Sequence, residues 1–131
     1  MNTRWICVVL LLVMGCKKED SNPSGSGSFS GTVQVSVSSG TTPTFSWTPA
    51  IKVFFVLVES DTSGADLWGI ISDSTNAIGS PVTYGVTPNG ARELKSPATL
   101  TQGVAYKVIL FQWTGPGRQD GIQVGRRTFT P

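Results

Sequence analysis

The chain contains no histidine, only two cysteines and a small net charge. Without histidine it lacks the commonest general base and the commonest metal ligand. Ten Lys and Arg against eight Asp and Glu leave a formal charge of +2, which gives no electrostatic reason to expect nucleic acid or an acidic substrate. The composition therefore predicts a protein that is not an enzyme, carries no cofactor or metal, and does not bind nucleic acid.

The two cysteines lie near the amino terminus, and only one of them is expected in the mature chain. Cys7 falls within an apolar run at residues 5–13, after a short basic start that contains Arg4. A charged start, a short apolar run and a small residue before the cut are typical of a secretory signal peptide. The run is about half of the roughly 20 residues that span a bilayer. We therefore expect residues 1–15 to be removed, which leaves Cys16 without a disulfide partner in its own chain.

The four residues Val13-Met14-Gly15-Cys16 resemble the lipobox of bacterial lipoproteins. The resemblance implies that Val13, Met14 and Gly15 are recognition residues and that Cys16 receives the lipid, palmitate included. Two or three acyl chains give stable membrane attachment, whereas one anchors a protein only marginally. The alternative is an ordinary signal peptide followed by a chance cysteine.

Residues 16–30 form the expected lipidated, flexible linker. Residues 17–20, Lys-Lys-Glu-Asp, resemble the export signal of some Gram-negative surface lipoproteins, although a solvated linker explains them equally well. The Ser- and Gly-rich residues that follow are typical of a random coil, which would reach roughly 20–25 Å. We expect a cell-envelope protein in the outer membrane, possibly exposed at the cell surface.

Residues 31–131 are predicted to form one all-β domain, because no segment has a sustained helical period. Val33, Val35 and Val37 alternate with polar residues, as in a half-buried strand. Further strands are predicted at 43–49, 52–59, 67–71, 81–86, 104–113 and 121–129. Residues 91–95 are expected to form at most a turn of helix. About seven short strands favour an antiparallel β-sandwich, with a small barrel as the alternative.

Two motifs resemble fibronectin type III domains. Trp47 resembles the tryptophan of their second strand, and Tyr106, with Leu100 and Gly103 before it, resembles their tyrosine corner. The resemblance implies an immunoglobulin/fibronectin type III-like sandwich, in which the Tyr106 hydroxyl bonds to upstream backbone. Residues 72–99 depart from this family because their strand pattern is weak. Such folds host many functions, so the resemblance adds little about activity.

Residues that could carry chemistry are few, and structural explanations are favoured for them. The acids lie at strand ends and turns, where solvated carboxylates are normal, although a pair suited to glycoside hydrolysis stays open. Residues 61–66 resemble a calcium loop only faintly, since two acids fall short of the oxygens that calcium requires. Arg126 and Arg127 are interpreted as solvated, with an anionic partner as the lesser alternative.

The aromatic residues are the more informative set. If Tyr106, Val108 and Leu110 point into the core, then Ile109, Phe111 and Trp113 point away from it. The strand at 52–59 is apolar on both faces, and a fibronectin-like arrangement would place it beside this one. Together the two strands would give an apolar outer face, and large exposed apolar patches mark binding surfaces. Either residues 72–99 cover this face, with Ile78, Val82, Tyr84 or Leu94 packing on it, or the face is open for recognition.

The sequence thus leaves two principal hypotheses. The first is a membrane-anchored lipoprotein whose non-catalytic β-sandwich presents a binding or structural surface to an envelope protein or a glycan. The second is a small carbohydrate-binding module that uses exposed aromatic rings. Trp68, Tyr84 and Trp113 are the predicted contact residues for a ligand or partner.

Overall fold

The computed structural model describes residues 32–114 and 121–131, which form eight β-strands and no helix. The lipobox, the linker and residues 115–117, whose Gly-Pro-Gly sequence predicts a turn, lie outside these residues. The strands are β1 (Gln34–Val37), β2 (Thr44–Thr48), β3 (Phe55–Ser60), β4 (Asp66–Ser72), β5 (Val82–Thr83), β6 (Ala91–Lys95), β7 (Tyr106–Trp113) and β8 (Gly121–Phe129).

The strands are arranged in two antiparallel sheets, which confirms the predicted all-β sandwich. One sheet has the order β1-β2-β5 and the other has the order β6-β4-β3-β7-β8. All the pairings between these strands are antiparallel. Strand β3 lies at the centre of the larger sheet and pairs with β7, as the fibronectin-like arrangement implied. Two separate sheets replace the alternative of a closed barrel.

The core lies between the two sheets and follows from the alternation of side chains along each strand. Val35, Phe45 and Trp47 face it from the smaller sheet, and Val58 and Ile70 face it from the larger sheet. The other fully buried side chains include Val33, Val53, Val56, Trp68, Ile78, Val108, Leu110 and Val124. The predicted inward set of Tyr106, Val108 and Leu110 is confirmed.

Strand β6 corrects the expectation of a short helical turn at residues 91–95. Ala91 pairs with Ser72 and Arg92 pairs with Ile71, so this segment extends the larger sheet beyond β4. Its residues are strong helix formers, but the open edge of β4 offers backbone hydrogen bonds that a single helical turn cannot match. The sheet therefore decides the conformation, and the strand count is eight rather than seven.

The hydrogen bond expected of a tyrosine corner is present. The backbone N–H of Thr101 donates to the Tyr106 hydroxyl at 2.8 Å, five residues upstream of the tyrosine. Trp47 is buried in β2, and its indole N–H donates to the carbonyl of Ile51 at 2.7 Å. Both aromatic residues thus satisfy their polar atoms on nearby backbone while their rings fill the core.

The two sheets approach each other most closely where the chain enters β1 beside β8. The N–H of Val33 donates to the carbonyl of Val124 at 2.9 Å. A Cβ atom at Gly125 would lie 2.6 Å from a methyl group of Val33, so only glycine allows this approach.

Candidate functional site

The outward face of the larger sheet carries a continuous apolar strip. We call the side chains of Phe55, Leu57, Ile71, Ile109 and Phe111 the outer strip. They alternate with inward neighbours on β3, β4 and β7, and none of the five belongs to the interior cluster. The rings of Phe55 and Phe111 are stacked with centroids 5.5 Å apart. Four of the five are partly exposed, and Ile109 is 8% exposed.

The interpretation that residues 72–99 cover this face is wrong for the four side chains proposed as its cover. Ile78, Val82 and Tyr84 belong to the interior cluster, and Leu94 is 52% exposed. The segment first crosses to the smaller sheet, where β5 pairs with β2, and then returns to the edge of β4 as β6. Ile78, Val82 and Tyr84 therefore complete the core between the sheets rather than pack on the outer strip.

Two of the three predicted contact residues are core residues. Trp68 is fully buried and Tyr84 is 5% exposed, and their ring centroids lie 5.2 Å apart. Trp68 therefore offers no face to an external ligand and Tyr84 exposes too little of its ring for stacking, so their expected exposure is corrected. The reason is register: Trp68 shares the inward side of β4 with Ile70, two residues along. That spacing was the signal that could have excluded Trp68.

Burial of the Tyr84 hydroxyl affects both its hydrogen bonding and its pKa. The hydroxyl donates to the carbonyl of Ala98 at 2.7 Å, which holds the end of the 72–99 segment against the core. Removal from water raises the pKa of Tyr84 to about 12, with a further contribution from Tyr106. Tyr84 is therefore a neutral structural residue at physiological pH.

Trp113, the third predicted contact residue, lies at the end of β7 and is partly exposed. Its backbone N–H donates to the side-chain oxygen of Asn76 at 2.7 Å, and the Asn76 amide group donates to the Trp113 carbonyl at 2.8 Å. One asparagine side chain thus satisfies both backbone groups, as a neighbouring strand would. Asn76 thereby fixes the backbone that carries the indole ring.

Trp113 forms one wall of a cleft at this end of the larger sheet. The cleft has a volume of about 250 Å³, and we call it the aromatic cleft. Its lining residues are Phe54, Ser72, Asp73, Ser74, Thr75 and Trp113. The rings of Phe54 and Trp113 lie 5.7 Å apart at an interplanar angle of 37°. Two aromatic rings and a row of polar side chains therefore meet in one concavity.

The polar side of the aromatic cleft comes from the chain that leaves β4. The N–H of Asp73 donates to the carbonyl of Gly90, and the N–H of Ser72 donates to the carbonyl of Phe54. Ser72 is the one buried polar residue in the described ranges, and its hydroxyl has no hydrogen-bond partner there. Sequence analysis missed Phe54 and residues 72–76 as site residues. The polar run Ser-Asp-Ser-Thr-Asn after an apolar strand was the signal available for them.

Charged residues at the aromatic cleft and the outer strip are paired. The Arg92 guanidinium lies 3.8 Å from the Asp73 carboxylate, and both side chains are more than half exposed. Lys107 and Glu59 are closer, at 2.8 Å, and are largely shielded from solvent. Asp73 and Arg92 therefore provide an acceptor and donors side by side next to the cleft, with little net charge.

Two other clefts are comparable in size but chemically poorer. One of about 350 Å³ runs along Thr41, Tyr84 and Pro97, and one of about 250 Å³ runs along Val37, Arg127 and Phe129. Each contains a single aromatic residue. In the described part of the chain, no three Asp, Glu, Cys or His side chains come together to hold a metal. Residues 32–114 and 121–131 also contain no helix long and apolar enough to cross a membrane.

Comparison with known proteins finds no matching protein-family model, no matching curated protein and no matching solved structure. The function of the site is therefore inferred from its own residues. Cys16 and the recognition residues Val13, Met14 and Gly15 lie outside the described residues, so their assignment stays a prediction.

Proposed function

We propose that this protein is a bacterial lipoprotein, anchored through lipid on Cys16, whose β-sandwich is a non-catalytic binding domain in the cell envelope. The observation that carries the binding role is the outer strip. Phe55, Leu57, Ile71, Ile109 and Phe111 form a connected apolar surface outside the core. Surfaces of this kind mark sites of interaction with proteins or other ligands.

The proposed lipid anchor would hold this surface close to a membrane. The lipobox resemblance at residues 13–16 assigns the lipid to Cys16, and the linker to residue 30 would let the domain reach roughly 20–25 Å from the membrane. A partner would then be an envelope protein or a glycan. We place the protein in the outer membrane, with exposure at the cell surface as the narrower proposal suggested by residues 17–20.

Lipid labelling tests the anchor. Cells that produce the protein are fed an alkyne analogue of palmitate, and the labelled protein is measured in membrane and soluble fractions. Cys16→Ala should abolish labelling and lower the share of the protein in membranes, because the thiol that receives the lipid would be missing. Cys7→Ala is the matched control and should change neither. Labelling that survives Cys16→Ala would contradict the anchor.

Site-directed crosslinking tests the binding surface. A photoreactive amino acid at Phe111 or Leu57 should crosslink to an envelope component in intact cells. The same amino acid at Val86, which is 56% exposed elsewhere on the domain, is the control. Equal crosslinking at all three positions would mean that the outer strip has no specific role.

A further inference from the structure

We propose that the aromatic cleft binds one pyranose ring of a neutral glycan. The inference rests on the proposed function, since it names a ligand for the same binding domain at a site next to the outer strip. The cleft brings together four features that such a ring requires: aromatic walls, hydrogen-bonding groups, a suitable size and little net charge. Each of the four follows from residues that the structure describes.

The walls suit the apolar side of a sugar. A pyranose presents C–H groups on one or both faces and hydroxyl groups around its edge. Phe54 and Trp113 both line the cleft, with ring centroids 5.7 Å apart and planes inclined by 37°, and so supply an aromatic surface for such a face. The Asn76 side chain holds the Trp113 backbone through two hydrogen bonds, so less ordering is required when a ligand binds.

The hydrogen-bonding groups suit the edge of a sugar. Neighbouring hydroxyls of a sugar both donate and accept hydrogen bonds. The Asp73 carboxylate can accept such bonds, and the Arg92 guanidinium beside it can donate them. Their separation of 3.8 Å is too long for a tight hydrogen bond, so both groups keep bonding capacity. Ser74 and Thr75 add hydroxyls to the lining, and the Ser72 hydroxyl lies there without a partner among the described residues. Buried polar groups of this kind call for a water or ligand to complete them.

Size and charge narrow the ligand further. At about 250 Å³ the cleft falls below the roughly 300–1,000 Å³ of pockets that enclose drug-sized molecules, so it suits one ring of a longer chain. The positive charge of Arg92 balances the negative charge of Asp73. A cation would therefore have to displace Arg92, and an anion would be repelled by Asp73. A neutral ring meets neither penalty.

Tryptophan quenching tests binding in the mature lipoprotein, purified in a detergent without a sugar head group. Trp47 and Trp68 are 3% and 0% exposed, so acrylamide quenching reports mainly on Trp113. The probes are methyl β-D-glucopyranoside, methyl β-D-galactopyranoside and N-acetylglucosamine. At least one should protect Trp113, with a Kd of about 1–10 mM for a single ring. The proposal would be overturned if none of the three sugars protects Trp113 at concentrations well above this Kd range.

Variants locate the binding site through saturation-transfer NMR of the protecting sugar. Trp113→Ala should weaken binding at least tenfold, and Asp73→Asn about three- to tenfold, because the amide keeps an acceptor but loses the charge. Val86→Ala, at an exposed position outside both the outer strip and the cleft lining, is the control and should bind normally. A signal unchanged by Trp113→Ala would overturn the proposal.

Two further outcomes separate this inference from the proposed function. If Trp113→Ala abolishes sugar binding but Asp73→Asn has no effect, the sugar ring is held by the aromatic wall and the role given to the Asp73–Arg92 pair is wrong. If no sugar binds while the outer strip still crosslinks to an envelope component, the inference fails and the proposed function stands. Loss of crosslinking or of the Cys16-dependent anchor would instead remove the proposed function.

Discussion

The two faces of the larger sheet are both apolar, yet they have different environments. Val56, Val58 and Ile70 on the inward face are fully buried, whereas Phe55, Leu57 and Ile71 on the same strands are partly exposed. The residues differ little in hydrophobicity. The difference arises because the smaller sheet covers only one face. Whether a side chain in this sheet is buried therefore depends on what packs against its face of the strand, and not on the composition of the strand.

The comparison also separates stability from recognition. The inward face excludes water and supplies most of the hydrophobic stabilisation, at roughly 25 cal/mol per Å² of buried apolar area. The outer strip contributes less because solvent still reaches it. Substitutions on the outward face should therefore alter binding more readily than folding, and substitutions on the inward face should do the reverse.

Adjacent isoleucines give the most direct way to break this comparison. Ile70→Ala should lower the free energy of unfolding by about 3 kcal/mol, because it leaves a cavity in the core. Ile71→Ala removes the same atoms one residue along and should cost about 1 kcal/mol. Urea denaturation monitored by tryptophan fluorescence measures both. Equal losses would mean that the outward face is packed as tightly as the core.

The junction between the sheets gives the next largest expected effect. Gly125→Ala should destabilise the protein by about 2 kcal/mol, since the new methyl group would lie 2.6 Å from Val33. Gly121→Ala on the same strand is the control, because a Cβ there meets no atom within 4 Å. Thermal denaturation distinguishes them.

A double substitution sharpens the test of that junction. Adding Val33→Ala to Gly125→Ala should cost less than the two separate losses together, because the shorter side chain relieves the clash. Strictly additive losses would show that Gly125 matters for another reason.

The stability of the protein at alkaline pH tests whether the Tyr84 hydroxyl is buried. Its folded pKa of about 12 lies above the ordinary value of 10.0, so the unfolded chain loses the proton first. The stabilisation is complete below pH 10 and is lost as pH rises from 10 to about 12, by at most about 1.4 kcal/mol per pH unit. Denaturation at stepped pH measures the loss. Tyr84→Phe should reduce this pH dependence, and an unchanged profile would contradict the assignment.

The ion pair on the outward face should give the smallest effect. Lys107 and Glu59 lie directly opposite each other on β7 and β3, with their charged atoms 2.8 Å apart. A double-mutant cycle with Lys107→Met and Glu59→Gln should give a coupling of about 0.5–1 kcal/mol that weakens with added salt. A coupling near 3 kcal/mol would mean that this face is as dry as the core.

The elements predicted correctly from sequence are those set by local pattern. The alternation of Val33, Val35 and Val37 and the outward placement of Phe111 follow from the two-residue period of a strand. The Tyr106 hydrogen bond likewise depends on a turn only a few residues away. Such features need no knowledge of distant contacts.

The elements predicted wrongly depend on distant partners. Strand β6 exists because β4 has a free edge, and Tyr84 is buried because its segment crosses to β2. The aromatic cleft was missed for the same reason, since Phe54 and Trp113 are far apart in sequence and meet only at the end of the sheet. Only Trp113 of the predicted contact residues lies in that cleft.

The sequence by itself determined the strand-rich domain, the tyrosine corner and the prediction of a lipid on Cys16, because each depends on residues close together in the chain. The tertiary structure decided which apolar face became the core, which became the outer strip and where two aromatic rings meet polar groups. The physical reason is that a strand has two equivalent sides, and only packing against a second sheet distinguishes them.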